Sequence, residues 1–201
     1  MKKLYLNLGC GASGEEIVHQ LFQGEDWQGI RIDDDELVKP DLKANMVTLE
    51  SVDQYIAETY PDYSHIQNYG KPVSHISGIF SSHALEHLHC DDAFYALCVW
   101  RQALRYMNGK LILRLPDFGA ACESIVQGRG HTPLYQSPAG PISAMDIVFG
   151  FRGFTKERPS MGHLWGYTRD HLERVLCEAG YSSVNVLQDR SAFEIYAFAS
   201  P

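Results

Sequence analysis

Tyr5-Leu6-Asn7-Leu8-Gly9-Cys10-Gly11-Ala12-Ser13-Gly14 decides how this chain is read. A short apolar strand runs into a glycine turn, and the amphipathic stretch over about 14–23 predicts a helix. Gly9 and Gly11 carry no side chain, so the backbone can turn tightly there and a ligand can lie against it. The amides of the following helix would then point at that ligand.

Downstream elements continue the alternation of strand and helix. Gly29-Ile30-Arg31-Ile32-Asp33 reads as a second strand ending in an acid, and 41–44 as a short third. A helix is expected over 49–58, and the Tyr-rich run 60–75, with Pro61, Gly70 and Pro72, reads as a loop. Ile76 to Ser81 is a fourth strand. From Asp91 to Tyr106, residues Ala93, Leu97, Trp100 and Leu104 recur on one helical face and predict core. Asn108-Gly109 closes that helix, Lys110 to Leu115 is a fifth strand, and Pro116 stops it. Residues 118–166 are rich in Gly and Pro and poor in periodicity, so they are expected to be an irregular insertion forming a lid or acceptor site. Thr168 can cap a last helix carrying the stripe Leu172, Val175, Leu176 and Ala179. Two strands over 183–188 and 192–199 form a hairpin, which makes the final strand antiparallel to its neighbour.

Composition narrows the class. The 201 residues suit one domain, with 45% apolar and 21% charged residues as in an ordinary globule. A net charge of -8 argues against a binder of nucleic-acid backbones, and no nucleic-acid partner is expected. Arg152, Lys156 and Arg158 are a local basic spot, read as a solvated loop that an anionic acceptor would otherwise meet. The five cysteines, Cys10, Cys90, Cys98, Cys122 and Cys177, are scattered, which predicts free thiols and a cytoplasmic location. No run approaches the roughly 20 apolar residues of a membrane span.

In open parallel sheets a ligand sits at the carboxyl ends of the strands, where strand order reverses. The first strand delivers the glycine turn there. The second delivers Asp33, whose carboxylate can accept hydrogen bonds from a ribose diol. The fourth delivers Ser82 and His83, and the fifth Asp117. The glycines alone admit two readings: a simple tight turn, or, through Gly9, Gly11 and Gly14, a complete G-x-G-x-x-G dinucleotide loop.

With those residues placed, the chain resembles the class I S-adenosylmethionine-dependent methyltransferases, and among them the small type 11-like predicted ones. The matching pieces are LNLGCGAS at 6–13, IRID at 30–33, DLKANM at 41–46, GIFSSHALEHL at 78–88, NGKLILRLPD at 108–117 and GHLWGYTRDHLERVLCEAGY at 162–181. The resemblance implies one Rossmann-like α/β domain over 1–201. Its open, mainly parallel sheet would have seven strands in the order 3-2-1-4-5-7-6, the last antiparallel, with helices on both faces. It implies S-adenosyl-L-methionine as cofactor. Asn7, Gly9, Cys10 and Gly11 would form its methionine cradle, Asp33 would bind the ribose, Asn45 would lie near the adenine, and Ser82 and His83 beside the sulfonium. Asn7 and Ser13 depart from the family pattern, which usually has an acid and a third glycine there.

His83-Ala84-Leu85-Glu86-His87 also fits the H-x-x-E-H phrase of some zinc peptidases. Its place directly after a buried strand, within an α/β series, argues against that, and no metal is expected. His163 and His83 are the candidate catalytic bases, because an imidazole titrates near neutral pH. Phe149, Phe151, Phe154, Trp165 and Tyr167 would form the small core of the insertion or line an acceptor pocket. The expected activity is methyl transfer to a small molecule or a sugar of a polysaccharide. Two other readings stay open: a non-catalytic protein that binds the adenosyl cofactor, and an NAD(P)-dependent oxidoreductase.

Overall fold

The computed structural model describes residues 2–11, 19–63, 66–68, 71–73 and 75–201. Half of the predicted first helix, 14–18, lies outside the described residues together with Ser13. Of its remainder, Gln20–Phe22 is a single 3-10 turn.

The strands are β1 (Lys3–Leu8), β2 (Trp27–Asp33), β3 (Leu42–Lys43), β4 (Ile66–Asn68), β5 (Lys71–Val73), β6 (Ile76–Ser82), β7 (Lys110–Pro116), β8 (Pro133–Ser137), β9 (Gly140–Ser143), β10 (Ser183–Asp189) and β11 (Glu194–Ser200). The helices are α1 (Val52–Thr59), α2 (Cys90–Arg105), α3 (Phe118–Val126), α4 (Ala144–Phe149), α5 (Arg152–Thr155) and α6 (Arg169–Glu178). Seven strands form the main sheet in the order β10-β11-β7-β6-β1-β2-β3. Numbered within that sheet, this is the expected 3-2-1-4-5-7-6. β11 runs antiparallel to both β10 and β7, and the strands from β7 to β3 are mutually parallel.

Burial follows the sequence pattern. β1 and β6 are sheathed on both sides, so Leu4, Leu6, Leu8 and Ile79 are fully enclosed. The α2 stripe of Ala93, Leu97, Trp100 and Leu104 is likewise wholly buried. Trp100 reaches beyond its own layer, its Nε1 donating to the Met46 carbonyl at 2.7 Å. Thr168 caps α6 by accepting from the His171 amide.

Two stretches differ from expectation. The 60–75 run holds the short β4–β5 hairpin and a 3-10 turn where a plain loop was expected. The 118–166 stretch, expected to be irregular, carries three short helices and the β8–β9 hairpin. Its elements are too short for a periodicity to emerge, and local caps hold them. Asp117 accepts from the Ala120 amide at the start of α3, and Ser143 and Asp146 form a reciprocal capping box on α4. Ala121, Ile142, Ala144 and Ile147 make a small separate core there. The aromatic group divides. Phe151 packs on that small core and Tyr167 belongs to the main one, whereas Phe149, Phe154 and Trp165 are exposed.

Candidate active site

Because β1, β2, β3, β6 and β7 are parallel, their carboxyl ends share one edge of the sheet. Order reverses between β1 and β6, and the crevice of an open α/β sheet lies at such a reversal. Asn7, Gly9, Cys10, Gly11, Asp33, Asn45, Ser82 and His83 all lie at that edge, so the fold brings the predicted cofactor residues together.

The turn after β1 is held by its own backbone. The amides of Gly9 and Cys10 both donate to the Ile32 carbonyl, at 2.9 and 3.2 Å. Gly9 and Gly11 adopt left-handed φ values of 63° and 62°. Among the described residues, a Cβ built on Gly11 meets nothing within 4 Å, leaving room beside the turn. Asp33 braces this loop: its Oδ2 accepts from the Gly11 amide at 2.9 Å and its Oδ1 from the Asp35 amide at 3.0 Å. An ionised carboxylate offers about four acceptor positions, so Asp33 keeps capacity for a diol. Asn45 accepts from the Val47 amide at 2.7 Å, which leaves its amide NH2 free to donate to a ligand. Asn7 is buried, and burial pushes the Cys10 thiol up to about 11, so it is a neutral wall of the turn.

Arg31 was not anticipated. Its guanidinium donates to the carbonyls of Gly11, Val38 and Lys39 at 3.2, 3.2 and 3.0 Å, clamping the glycine turn to the loop after β2. The signal was a cation set between the buried Ile30 and Ile32 of a parallel strand. Arg114 within β7 and Glu194 at the start of β11 are charged residues beside apolar ones, and they pair across the sheet at 2.5 and 2.8 Å.

His83 sits between two carboxylates. Its Nε2 lies 3.3 Å from Glu194 and its Nδ1 3.5 Å from Glu86. Burial acts to lower the His83 pKa, but Glu194 and Glu86 outweigh it and push it up to about 9. His83 therefore holds a proton at neutral pH.

His163 is in the opposite condition. Its Nδ1 lies 2.8 Å from the Ile147 carbonyl, and burial lowers its pKa. A carbonyl only accepts, so Nδ1 carries the hydrogen and Nε2 keeps a free lone pair. Glu86 joins this histidine to the loop after β6, since its backbone carbonyl accepts from the amides of Leu164 and Trp165 at 2.8 and 3.1 Å. His87 packs edge-on against His163 with ring centroids 5.0 Å apart. A narrow cleft lies between Glu86, Phe118, Ile147, His163 and Trp165.

No protein-family model matches the chain, and no curated protein matches it significantly. Solved structures do. A SAM-dependent methyltransferase from Archaeoglobus fulgidus aligns with all of this chain and 86% of its own, at TM-score 0.55 and 15% identity. A putative O-methyltransferase from Nostoc punctiforme gives TM-score 0.52 at 13% identity, over 99% of this chain and 52% of that one. The small RNA methyltransferase HEN1 gives the same score and identity over 99% of this chain and 23% of its own. With the strand order and the antiparallel last strand, these likenesses give the chain the class I S-adenosylmethionine-dependent methyltransferase fold.

Proposed function

We propose that the protein transfers a methyl group from S-adenosyl-L-methionine to a small-molecule or sugar acceptor. The observation that carries this is the braced glycine turn, with Asp33 bound to the Gly11 amide, at the point where strand order reverses. The open space beside Gly11 and the spare acceptor capacity of Asp33 fit the cofactor. When bound, S-adenosylmethionine supplies an electrophilic methyl group on a sulfonium, displaced directly at carbon. Gly9, Cys10 and Gly11 would hold its methionine part, Asp33 its ribose and Asn45 its adenine, with Asn7 behind the turn and Ser82 and His83 beside the sulfonium.

Of the two candidate bases, His163 has the free lone pair and borders the cleft, whereas His83 is already protonated. His163 is thus the residue proposed to meet the acceptor. The exposed Phe149, Phe154 and Trp165 give the 118–166 segment an apolar surface suited to a lid over that acceptor. The net charge of -8 favours an acceptor without a phosphate backbone.

Calorimetric titration with S-adenosylmethionine, S-adenosylhomocysteine and NAD tests the reading. Micromolar binding of both adenosyl compounds, followed by turnover on a panel of hydroxylated small molecules and sugars, is the expected result. Binding of NAD alone would overturn it.

A further inference from the structure

We propose that Glu86, His87 and His163 form a site for a divalent transition-metal cation. One ligating atom from each lies within 4.8 Å of the others, as three donors around a single ion require. The group joins a turn after β6 to the loop before α6, and the paired amides of Leu164 and Trp165 on the Glu86 carbonyl fix that junction.

Both imidazoles are set in the same way. His87 Nδ1 lies 3.0 Å from the Gly162 carbonyl, as His163 Nδ1 lies 2.8 Å from that of Ile147. Each Nδ1 must therefore donate, so the nitrogen open to a ligand on each ring is Nε2. Metal-bound histidines are oriented in this manner, with the other ring nitrogen donating to a carbonyl.

The carboxylate supplies an independent observation. Glu86 is 2% exposed, and neither of its oxygens accepts a hydrogen bond among the described residues. Its nearest partner, His83 Nδ1, stands off at 3.5 Å from one oxygen. His83 pairs with that oxygen by charge alone, which leaves both oxygens without a hydrogen bond, and buried carboxylates in that condition bind metals. A cation between Glu86 and the two histidines would satisfy it.

The donor set selects the ion. Two imidazoles and one carboxylate suit zinc, cobalt or ferrous iron, whereas magnesium and calcium prefer oxygen ligands. Three protein ligands leave a coordination position open, as in catalytic zinc sites. Resting on the methyl-transfer reading, the ion takes the His163 lone pair in the loaded form, so the acceptor hydroxyl meets the open metal position in place of the imidazole and would release its proton to solvent more readily than a free one.

The test uses the full chain after treatment with a chelator. Titration with cobalt(II) chloride should give visible d–d bands that saturate at one ion per chain, with zinc chloride displacing the cobalt. His87→Ala, His163→Asn and Glu86→Gln should each weaken cobalt affinity on the order of 100-fold, while circular dichroism melts show that each remains folded. His163→Asn and Glu86→Gln keep polar side chains of similar size, so at least one is expected to fold if His87→Ala does not. Binding no tighter than millimolar, or equal affinity in all folded variants, would overturn the site. The spectrum is read without cofactor or acceptor, so failure of the methyl-transfer reading does not alter its outcome.

Discussion

Gly9 lies directly against Ala84: a Cβ built on Gly9 would stand 2.4 Å from the Ala84 Cβ. The glycine turn after β1 and the start of the loop after β6 are thereby pressed together, with no room for a methyl group between them. Gly9 also holds φ at 63°, which side chains disfavour. Gly9→Ala is expected to lose about 1–3 kcal/mol of stability from strain and clash together. It should also weaken S-adenosylmethionine binding. Urea unfolding and calorimetry on the same preparation measure both.

The Arg31 clamp gives a more selective prediction. Its three carbonyl contacts, at 3.0 to 3.2 Å, need a planar fork, and lysine offers only a point donor. Arg31→Lys should leave the sheet intact, since the backbone pairing of β2 with β1 is untouched. Cofactor affinity should fall on the order of tenfold, or about 1.4 kcal/mol. A melting temperature close to that of the parent, with a calorimetric loss of affinity, is the expected pair of readings.

Glu194 sets an acid limit. Burial acts to raise its pKa, but hydrogen bonds from His83, Arg114 and Tyr196 outweigh it and hold the carboxyl at about 2, against an ordinary 4.5. The folded pKa lies below the unfolded one, so its stabilisation is complete above pH 4.5 and is lost as pH falls toward 2. The side chain is only 7% exposed but two of its partners are more open, and roughly 2 kcal/mol is expected after allowing for screening. Urea unfolding at a series of pH values should show this decline, and Glu194→Gln should flatten it while lowering stability at pH 7.

Trp100 ties α2 to the far end of the site. It is fully buried, and its indole donates to Met46, the residue after Asn45. Trp100→Phe leaves a small cavity and an unpaired carbonyl, for a loss of about 2–3 kcal/mol. Because the turn of Asn45 on Val47 then loses its anchor, adenine binding should weaken as well. Chemical unfolding and titration with adenosine derivatives check the two effects.

The sheet was readable from the chain because its signals are local and dense. The apolar runs of β1, β6 and β7, the single face of α2 and the Thr168 cap each specify one element without help from the others. The last hairpin then fixed which strand turns against the rest. The 118–166 elements escaped this reading because they are held by caps: the Ser143–Asp146 box and the Asp117 cap join polar groups three residues apart and leave no hydrophobic period. In the same way Gly9 and Asp33 marked the sheet edge where strand order reverses. The partners that complete the arrangement did not, because Arg31, Arg114 and Glu194 act across strands, where sequence separation conceals the contact. Glu86, His87 and His163 lie in two motifs that look independent along the chain. The backbone bonds from Leu164 and Trp165 to the Glu86 carbonyl, with His87 against the Gly162 carbonyl, put them in one place.

The ends of the 118–166 segment meet. Asp117 and Tyr167 form a parallel bridge, and the Phe118 amide donates to the Tyr167 carbonyl at 3.1 Å. The chain thus leaves the sheet after β7 and re-enters at nearly the same point, so the excursion is stapled at its neck. Loop closure depends only weakly on length, so what lies beyond the neck can be lengthened, shortened or exchanged at little cost to the sheet beneath. The segment is built as an interchangeable cartridge: in the proposed reading, where it covers the acceptor, substrate preference would be rewritten there while the strand ends on the other side of the staple keep their shape.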